Sequence, residues 1–161
     1  MNELPLVPTP DARIDIRDLT VTFATDGGEV DAVDGVSLFL EPGEILAIVG
    51  ESGSGKTVTA RTILGLLPET ATASGMVLVQ GEDVVTMNPA RLRNLRGTEA
   101  SMVFQEPSSA LNPVFPIWWQ LGEGLRAHNP RLKRKELKAK AIEALRLVGI
   151  PEPETRINRF P

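Results

Sequence analysis

The residues with the clearest chemical potential are "GESGSGKT", from Gly50 to Thr57, which match the pattern G-x-x-x-x-G-K-[ST] in full. Glycines let consecutive backbone N–H groups turn inward around an anion, and a helix starting near Lys56 adds its positive dipole end. Lys56 would reach the β- and γ-phosphates of a nucleotide, and the Thr57 hydroxyl would ligate Mg²⁺. The alternative is a flexible glycine–serine turn with a solvent-exposed lysine. We predict a nucleotide site comprising Gly50, Glu51, Ser52, Gly53, Ser54, Gly55, Lys56, Thr57 and Val58.

The segments on either side of this loop predict a strand before it and a helix after it. "EILAIV" (44–49) is apolar at successive positions, which is typical of a strand covered on both faces in a parallel sheet. "KTVTARTILGLLP" has helical spacing and stops at Pro68. "EASMVFQ" (99–105) predicts a further buried strand. The loop would therefore join a buried strand to a helix, the context that favours phosphate binding over a simple turn.

The remaining elements predict an antiparallel layer and a helical region. Apolar residues alternate from Ile14 to Phe23 but change phase near Asp18, which indicates a strand with a bulge or break there. A second strand begins at Val33 after a turn, so an antiparallel pair is expected. "GMVLVQGEDV" predicts a strand and turn, and "NPARLRNLRG" a short helix. Two further helices are expected at about 117–128 and 132–148.

Composition excludes several classes of site. The formal net charge of −4 argues against a protein that binds nucleic acid mainly through charge. With no cysteine, thiolate metal sites and disulfides are excluded, and the single histidine, His128, is predicted to be a surface residue. The basic run at 126–140 is expected on a solvated helix face, because leucine, isoleucine and alanine recur there at helical spacing. The N-terminus lacks the features of a signal peptide, and no apolar stretch approaches the roughly 20 residues of a membrane span.

Two longer stretches carry a family resemblance. Taken with the loop, "VTFATDGGEVDAVDGVSLFLEPGEILAIVGESGSGKTVTARTILGLLP" and "SMVFQEPSSALNPVF" resemble the ATP-binding subunits of ABC transporters. Within these, "LNP" after the glutamine and "LVGIP" after the basic helix favour the importers of dipeptides, oligopeptides and nickel. The resemblance covers nearly all of residues 13–161.

The resemblance implies roles for two residues outside the loop. Phe23 lies where the family has an aromatic side chain that stacks on adenine, although a core phenylalanine is the alternative. Gln105 matches the family's Q-loop glutamine, which would ligate Mg²⁺, orient the attacking water and act with Lys56 in catalysis; the alternative is a solvent-exposed glutamine ending a strand. The next helix is expected to form part of the face that meets a permease. Trp118 and Trp119 cannot share one helical face, so one is expected in the core and the other partly exposed, unless both pack within the helical layer.

The expected fold class is α/β. It comprises a P-loop NTPase (RecA-like) core with an antiparallel β layer and a partial helical subdomain, and the domain is expected to be truncated. The expected division is a flexible leader (1–12), the nucleotide-binding core (13–104), the Q-loop (105–116) and the start of the helical subdomain (117–161). The family's Asp-Glu strand, switch histidine and glycine-rich signature have no match, so we expect the N-terminal part of a longer protein. That expectation includes poor stability and little ATPase turnover for the chain alone.

The function implied by the resemblance is an ATP-binding subunit that powers import of peptides, or a related small solute, by binding and hydrolysing ATP with Mg²⁺. Its expected partners are membrane permease subunits, a second ATP-binding subunit and, indirectly, a solute-binding protein, with no nucleic acid. The expected location is the cytoplasmic face of the inner membrane. Two alternatives stay open: a truncated, non-catalytic nucleotide-binding fragment, and a soluble P-loop enzyme of the kinase type.

Overall fold

The computed structural model describes residues 8, 10–105 and 110–161. These divide into two compact units, Met1–Ser101 and Met102–Pro161. Most of the predicted leader and residues 106–109 of the predicted Q-loop lie outside the described residues. The division into domains made from the sequence stays a prediction.

The first unit is built on a four-stranded antiparallel sheet with the order β2-β1-β3-β4. Its strands are β1 (Ile14–Thr25), β2 (Gly28–Leu40), β3 (Ala71–Val79) and β4 (Glu82–Asp83). The predicted antiparallel pairing of β1 with β2 is confirmed, and β3 pairs with the other edge of β1. The apolar side chains of one alternation are buried, so the sheet has its core on one face: Ile16, Leu19, Val21, Val77 and Val79.

The predicted break in β1 is confirmed at Asp18. Its φ of 49° is left-handed, and the pairing of β1 with both neighbouring strands shifts register beside it. Its backbone N–H donates to the Ser37 hydroxyl oxygen at 2.9 Å, so the displaced amide keeps a partner. On the facing strand Gly75 leaves room for the bulge, because a Cβ there would collide with the Asp18 carbonyl oxygen. The bulge restores the inward phase of the apolar residues that follow it.

Two helices complete the first unit. Helix α1 (Lys56–Ile63) begins at the predicted position, and α2 (Pro89–Leu95) starts after Asn88, whose side chain accepts a hydrogen bond from the Arg91 backbone N–H. Arg96 donates from its guanidinium to the carbonyl oxygens of Leu64 and Gly65, just beyond α1. The end of α2 therefore satisfies carbonyl groups that the end of α1 leaves unpaired.

The two predicted buried strands are wrong as strands. Residues 44–50 and 101–104 have no strand assignment, and the side chains of Ile45, Val49 and Val103 are 95%, 91% and 95% exposed. A run of apolar residues indicates a segment that is suited to burial. Such a segment forms a β-strand only where a neighbouring strand supplies hydrogen-bond partners. None of the described strands pairs with either segment.

The second unit is helical, with α3 (Ile117–His128), α4 (Arg134–Leu147) and α5 (Pro153–Arg156). The helices predicted at about 117–128 and 132–148 are confirmed as α3 and α4. Gly122 of α3 is buried against α4, where an added Cβ would lie at an ordinary van der Waals distance, 3.7 Å, from Leu137 Cβ. The backbone N–H groups of Ile117 and Trp118 donate to carbonyl oxygens at Arg159 and Ile157.

The basic run at 126–140 lies mainly on a solvated face, as predicted. Leu137 and Ala141 of α4 are buried, whereas most of the basic side chains are exposed. Within the described part of the chain, no helix is both long enough and apolar enough to cross a membrane.

Candidate nucleotide site

The loop from Gly50 to Thr57 is shaped by glycines in left-handed backbone conformations. Gly53 and Gly55 have φ values of 82° and 85°, which side chains with a Cβ rarely adopt. Gly55 is the N-cap of α1 and is buried against β2, where an added Cβ would lie 2.5 Å from the Ala32 carbonyl oxygen. Glycine is therefore required at position 55 both by its backbone conformation and by the space available.

Lys56, the first residue of α1, folds back over this loop. Its ammonium Nζ donates to the carbonyl oxygens of Gly50 at 2.9 Å and Glu51 at 2.6 Å, and to Ser54 Oγ at 3.1 Å. Gly50 keeps space for this arrangement, because a Cβ there would lie 2.7 Å from Ser54 Oγ. The positive charge is thus held at the centre of the loop by neutral oxygens, which an anionic ligand could replace at little structural cost.

The loop and the first turn of α1 enclose a small cavity of about 130 Å³, which Ala32 also lines. The start of α1 supplies backbone N–H groups without intrahelical partners and the positive end of the helix dipole. Thr57 is exposed, so its hydroxyl is available to a ligand, whereas Thr59 is buried and donates to the Gly55 carbonyl oxygen at 3.1 Å. The predicted residues from Gly53 to Val58 therefore line one cavity at the start of a helix, a position that suits an anion. Phosphate and Mg²⁺ binding by the residues from Gly50 to Val58 stay predictions.

The two residues assigned through the family resemblance lie outside this loop. Phe23 is half-buried in β1, where it pairs with Val30 on β2 and Ala71 on β3. Gln105 is exposed and belongs to the second unit, whereas the loop belongs to the first. Adenine stacking by Phe23 and metal ligation or catalysis by Gln105 stay predictions.

The two tryptophans differ from the expectation of one in the core and one partly exposed, because both are half-buried. Each ring is covered by a different arginine. The guanidinium carbon of Arg134 lies 4.7 Å from the ring centroid of Trp118, and that of Arg126 lies 5.1 Å from the ring centroid of Trp119. A guanidinium can cover an aromatic face while keeping contact with water, which explains how adjacent rings are both partly covered. Both rings are therefore partly covered and partly exposed, so the predicted division into one core ring and one exposed ring is wrong.

His128 is also less exposed than predicted. It ends α3 and is half-buried, and its Nδ1 is a buried atom without a hydrogen-bond partner among the described residues. Its position at the close of an amphipathic helix explains the partial burial. Across those same residues, no group of three or more His, Cys, Asp or Glu side chains is arranged to hold a metal ion.

A second, wider cavity of about 710 Å³ lies in the helical unit, between α3 and the loop that precedes it. Phe115 of the loop stacks on Trp119 of α3, with ring centroids 4.3 Å apart and planes inclined by 16°. Gln120 also lines this cavity and was missed from the sequence, since a glutamine in the first turns of a helix usually faces solvent.

Comparison with known proteins supplies the context for this geometry. A family model described as "ABC transporter" matches residues 33–160. The oligopeptide transport ATP-binding protein OppD of Mycobacterium bovis is 44% identical over 148 residues, which cover 92% of this chain and 24% of that protein. In Bacillus subtilis, OppD is 43% identical and the dipeptide transport protein DppD 41% identical over 150 residues, covering 42% and 44% of those proteins. The chain thus spans less than half the length of these curated relatives.

Among solved structures, the ATP-binding cassette MJ0796 has a similar fold. Its dimeric post-hydrolysis state bound to ADP and Pi gives a TM-score of 0.73 at 22% identity, over 92% of this chain and 61% of that chain. A second dimeric structure of the same cassette gives 0.72. At this level of identity the likeness establishes the fold alone, and it confirms the predicted α/β P-loop NTPase class.

Proposed function

Because this chain belongs to the ABC transporter family, we propose that it forms part of an ATP-binding subunit that powers import of peptides, or a related small solute, through a membrane permease. The observation that carries the proposal is the loop from Gly50 to Thr57, with Lys56 Nζ held at its centre. The peptide branch is supported by the names of the relatives, which are oligopeptide and dipeptide transport proteins.

The loop would hold ATP through its phosphates. Backbone N–H groups at the start of α1 would donate to phosphate oxygens, and Lys56 would exchange its bonds to Gly50, Glu51 and Ser54 for stronger charge-assisted bonds. The Thr57 hydroxyl would contribute an oxygen ligand to Mg²⁺. Bound Mg²⁺ would neutralise charge that develops on the phosphates during hydrolysis.

Two further residues would complete the chain's share of the site. The exposed part of the Phe23 ring would stack on adenine, a contact worth about 1–3 kcal/mol that tolerates different bases. The Gln105 carboxamide would present an oxygen to Mg²⁺ and help orient the attacking water, without adding a charge of its own. Together with Lys56, Gln105 would then be a catalytic residue of the assembled transporter.

The proposed partners are a second ATP-binding subunit, the permease subunits and, indirectly, a solute-binding protein, at the cytoplasmic face of the inner membrane. Pairing of two ATP-binding subunits is supported by the MJ0796 cassette, whose structures are dimeric. For the permease, we propose that α3 and the wide cavity beside it form part of the docking face, because a cavity with an aromatic wall suits an inserted helix.

A second candidate is nucleotide binding without turnover by this chain alone. It is favoured by the exposed apolar side chains at Ile45, Val49 and Val103, which flank the two positions proposed for catalysis and lack strand partners in the described part of the chain. Phosphate release by the purified chain that depends on Lys56 would exclude the second candidate. Because little turnover by the chain alone is expected under both candidates, the uptake experiment below is the one that separates them.

The transport proposal is tested by uptake of labelled trialanine in cells whose own copy of the protein carries a single substitution. Lys56→Ala removes the ammonium group and should abolish uptake. Arg61→Ala is the matched control, because it removes one exposed positive charge from the same helix and its side chain takes no part in the loop. Uptake that survives Lys56→Ala would contradict the proposal. If the purified protein binds nucleotide but wild-type cells do not take up trialanine, the transported solute is a different one.

A further inference from the structure

The carboxamide of Gln120 forms a clasp between α3 and the preceding loop, residues 111–115. Its Oε1 accepts a hydrogen bond from the Asn112 backbone N–H at 2.7 Å. Its Nε2 donates to the carbonyl oxygens of Asn112 and Phe115, both at 2.8 Å. The side chain therefore satisfies both backbone groups of Asn112, much as a neighbouring β-strand would.

Only a carboxamide matches this set of partners. The Asn112 N–H requires an acceptor, while the two carbonyl oxygens require donors, so the orientation of the amide is fixed. A carboxylate of the same shape could accept from Asn112 but would face both carbonyl oxygens with lone pairs. A protonated carboxyl group has one donor and would recover two of the three hydrogen bonds.

Across the described residues, the clasp supplies the hydrogen bonds that tie this loop to α3. The loop's other hydrogen bonds there, such as Val114 N–H to Asn112 Oδ1 at 3.0 Å, are local, and Leu111, Val114 and Phe115 are exposed. By holding the Phe115 carbonyl, Gln120 sets the position at which the Phe115 ring meets Trp119. These two rings, with Asn112 and Gln120 itself, line the cavity of about 710 Å³.

We propose that Gln120 is a positioning residue, which holds the 111–115 loop against α3 so that the aromatic wall of this cavity is formed before a helix of the permease docks. The inference rests on the proposed function, since the docking partner comes from there. A preformed wall spares the partner the entropic cost of ordering the loop. Loss of the clasp should therefore weaken association with the permease and leave the nucleotide loop, in the other unit, unaffected.

The first readout is the aromatic circular dichroism of the purified protein in a Trp118→Phe background, where Trp119 is the single remaining tryptophan. At pH 7 both Gln120→Glu and Gln120→Ala should lose the signal of the Phe115–Trp119 stack. As the pH is lowered to about 4, just below the ordinary glutamate pKa of about 4.3, the Gln120→Glu variant should regain part of that signal, because protonation restores a donor, and Gln120→Ala should not. Recovery on protonation separates a specific amide clasp from a general loss of structure.

The second readout is co-purification with the permease subunits from detergent-solubilised membranes of the native host. Both variants should associate about tenfold more weakly at pH 7, as expected for loss of a small set of hydrogen bonds, and should keep their stabilisation by MgATP. The control is Ala144→Glu, which adds the same charge at an exposed position of α4, away from the clasp.

A wild-type aromatic signal in Gln120→Glu at pH 7 would overturn the inference, and so would unchanged association once the signal is lost. If the wild-type protein itself fails to associate with the permease, the docking part of the proposed function is wrong. The aromatic signal would still decide whether Gln120 positions the loop.

Discussion

Replacing Gly55 with alanine should destabilise the chain much more than the same change at Gly53. Both residues have left-handed φ values near 80°, so both substitutions carry the backbone penalty of about 1–2 kcal/mol for a residue with a Cβ. They differ in the space around them. At Gly55 the new Cβ would lie 2.5 Å from the Ala32 carbonyl oxygen and 3.2 Å from Val33 Cγ2, whereas at Gly53 nothing lies within 4 Å.

The difference between the two variants measures the close approach of β2 to the loop from Gly50 to Thr57. Relieving a contact roughly 1 Å too short against backbone should cost about a further 1–3 kcal/mol. Gly53→Ala should therefore lower the free energy of unfolding by about 1–2 kcal/mol, and Gly55→Ala by about 2–5 kcal/mol. The effect of alanine on the unfolded chain is the same in both variants and cancels from the comparison.

The assay is urea unfolding of wild type and both variants without nucleotide, comparing midpoints at an unchanged slope. Nucleotide is omitted because both substitutions would also disturb the proposed nucleotide site. Equal losses of stability in the two variants would refute the reasoning, since they would mean that Ala32 does not press on Gly55. A larger loss in Gly53→Ala would refute it more strongly.

Two further predictions concern α2 and its neighbours. Asn88→Ala removes the side-chain acceptor for the Arg91 backbone N–H and should lower stability by about 1 kcal/mol in urea unfolding, whereas Asn88→Asp should retain most of it; equal losses would contradict the capping role. The Arg91 guanidinium donates hydrogen bonds to the Glu99 carboxylate and lowers the pKa of Glu99 below the ordinary 4.5. The pair therefore stabilises the fold above pH 4.5. This stabilisation is lost as the pH falls through the lower pKa that Glu99 has in the folded state. Arg91→Gln should flatten the acid side of a pH–stability curve, and an unchanged curve below about pH 5 would show that the pair contributes nothing.

The antiparallel layer could be predicted because its signals are local. Alternation of apolar side chains located β1, and the change of phase near Asp18 located its bulge, since one extra residue must invert the pattern. The shape of the loop from Gly50 to Thr57 was also predictable, because its glycines adopt left-handed conformations and α1 begins at Lys56, as the motif predicts. Its role in binding phosphate stays a prediction.

The predictions that were wrong or missing concern residues whose contacts come from elsewhere in the chain. The periodicity of a single segment does not reveal those contacts. The apolar residues at 45–49 and 103–104 predicted strands, but a strand needs at least one neighbouring strand to pair with, and none of the described strands pairs with either segment. Gln120 was missed because its role comes from backbone groups of the 111–115 loop, whose direction no side-chain pattern encodes. The tryptophan pair was similarly underdetermined, since Arg126 and Arg134 cover its rings from positions set by the packing of the helices.

The most direct test of the central claim is thermal unfolding with and without MgATP, on wild type, Lys56→Ala and the control Arg61→Ala. At a ligand concentration 100-fold above Kd, binding adds about 2.7 kcal/mol to stability. We predict a stabilising shift of this order for wild type and Arg61→Ala, and none for Lys56→Ala. An equal shift in all three proteins, or no shift in wild type, would contradict the claim that the loop around Lys56 binds the phosphates of ATP.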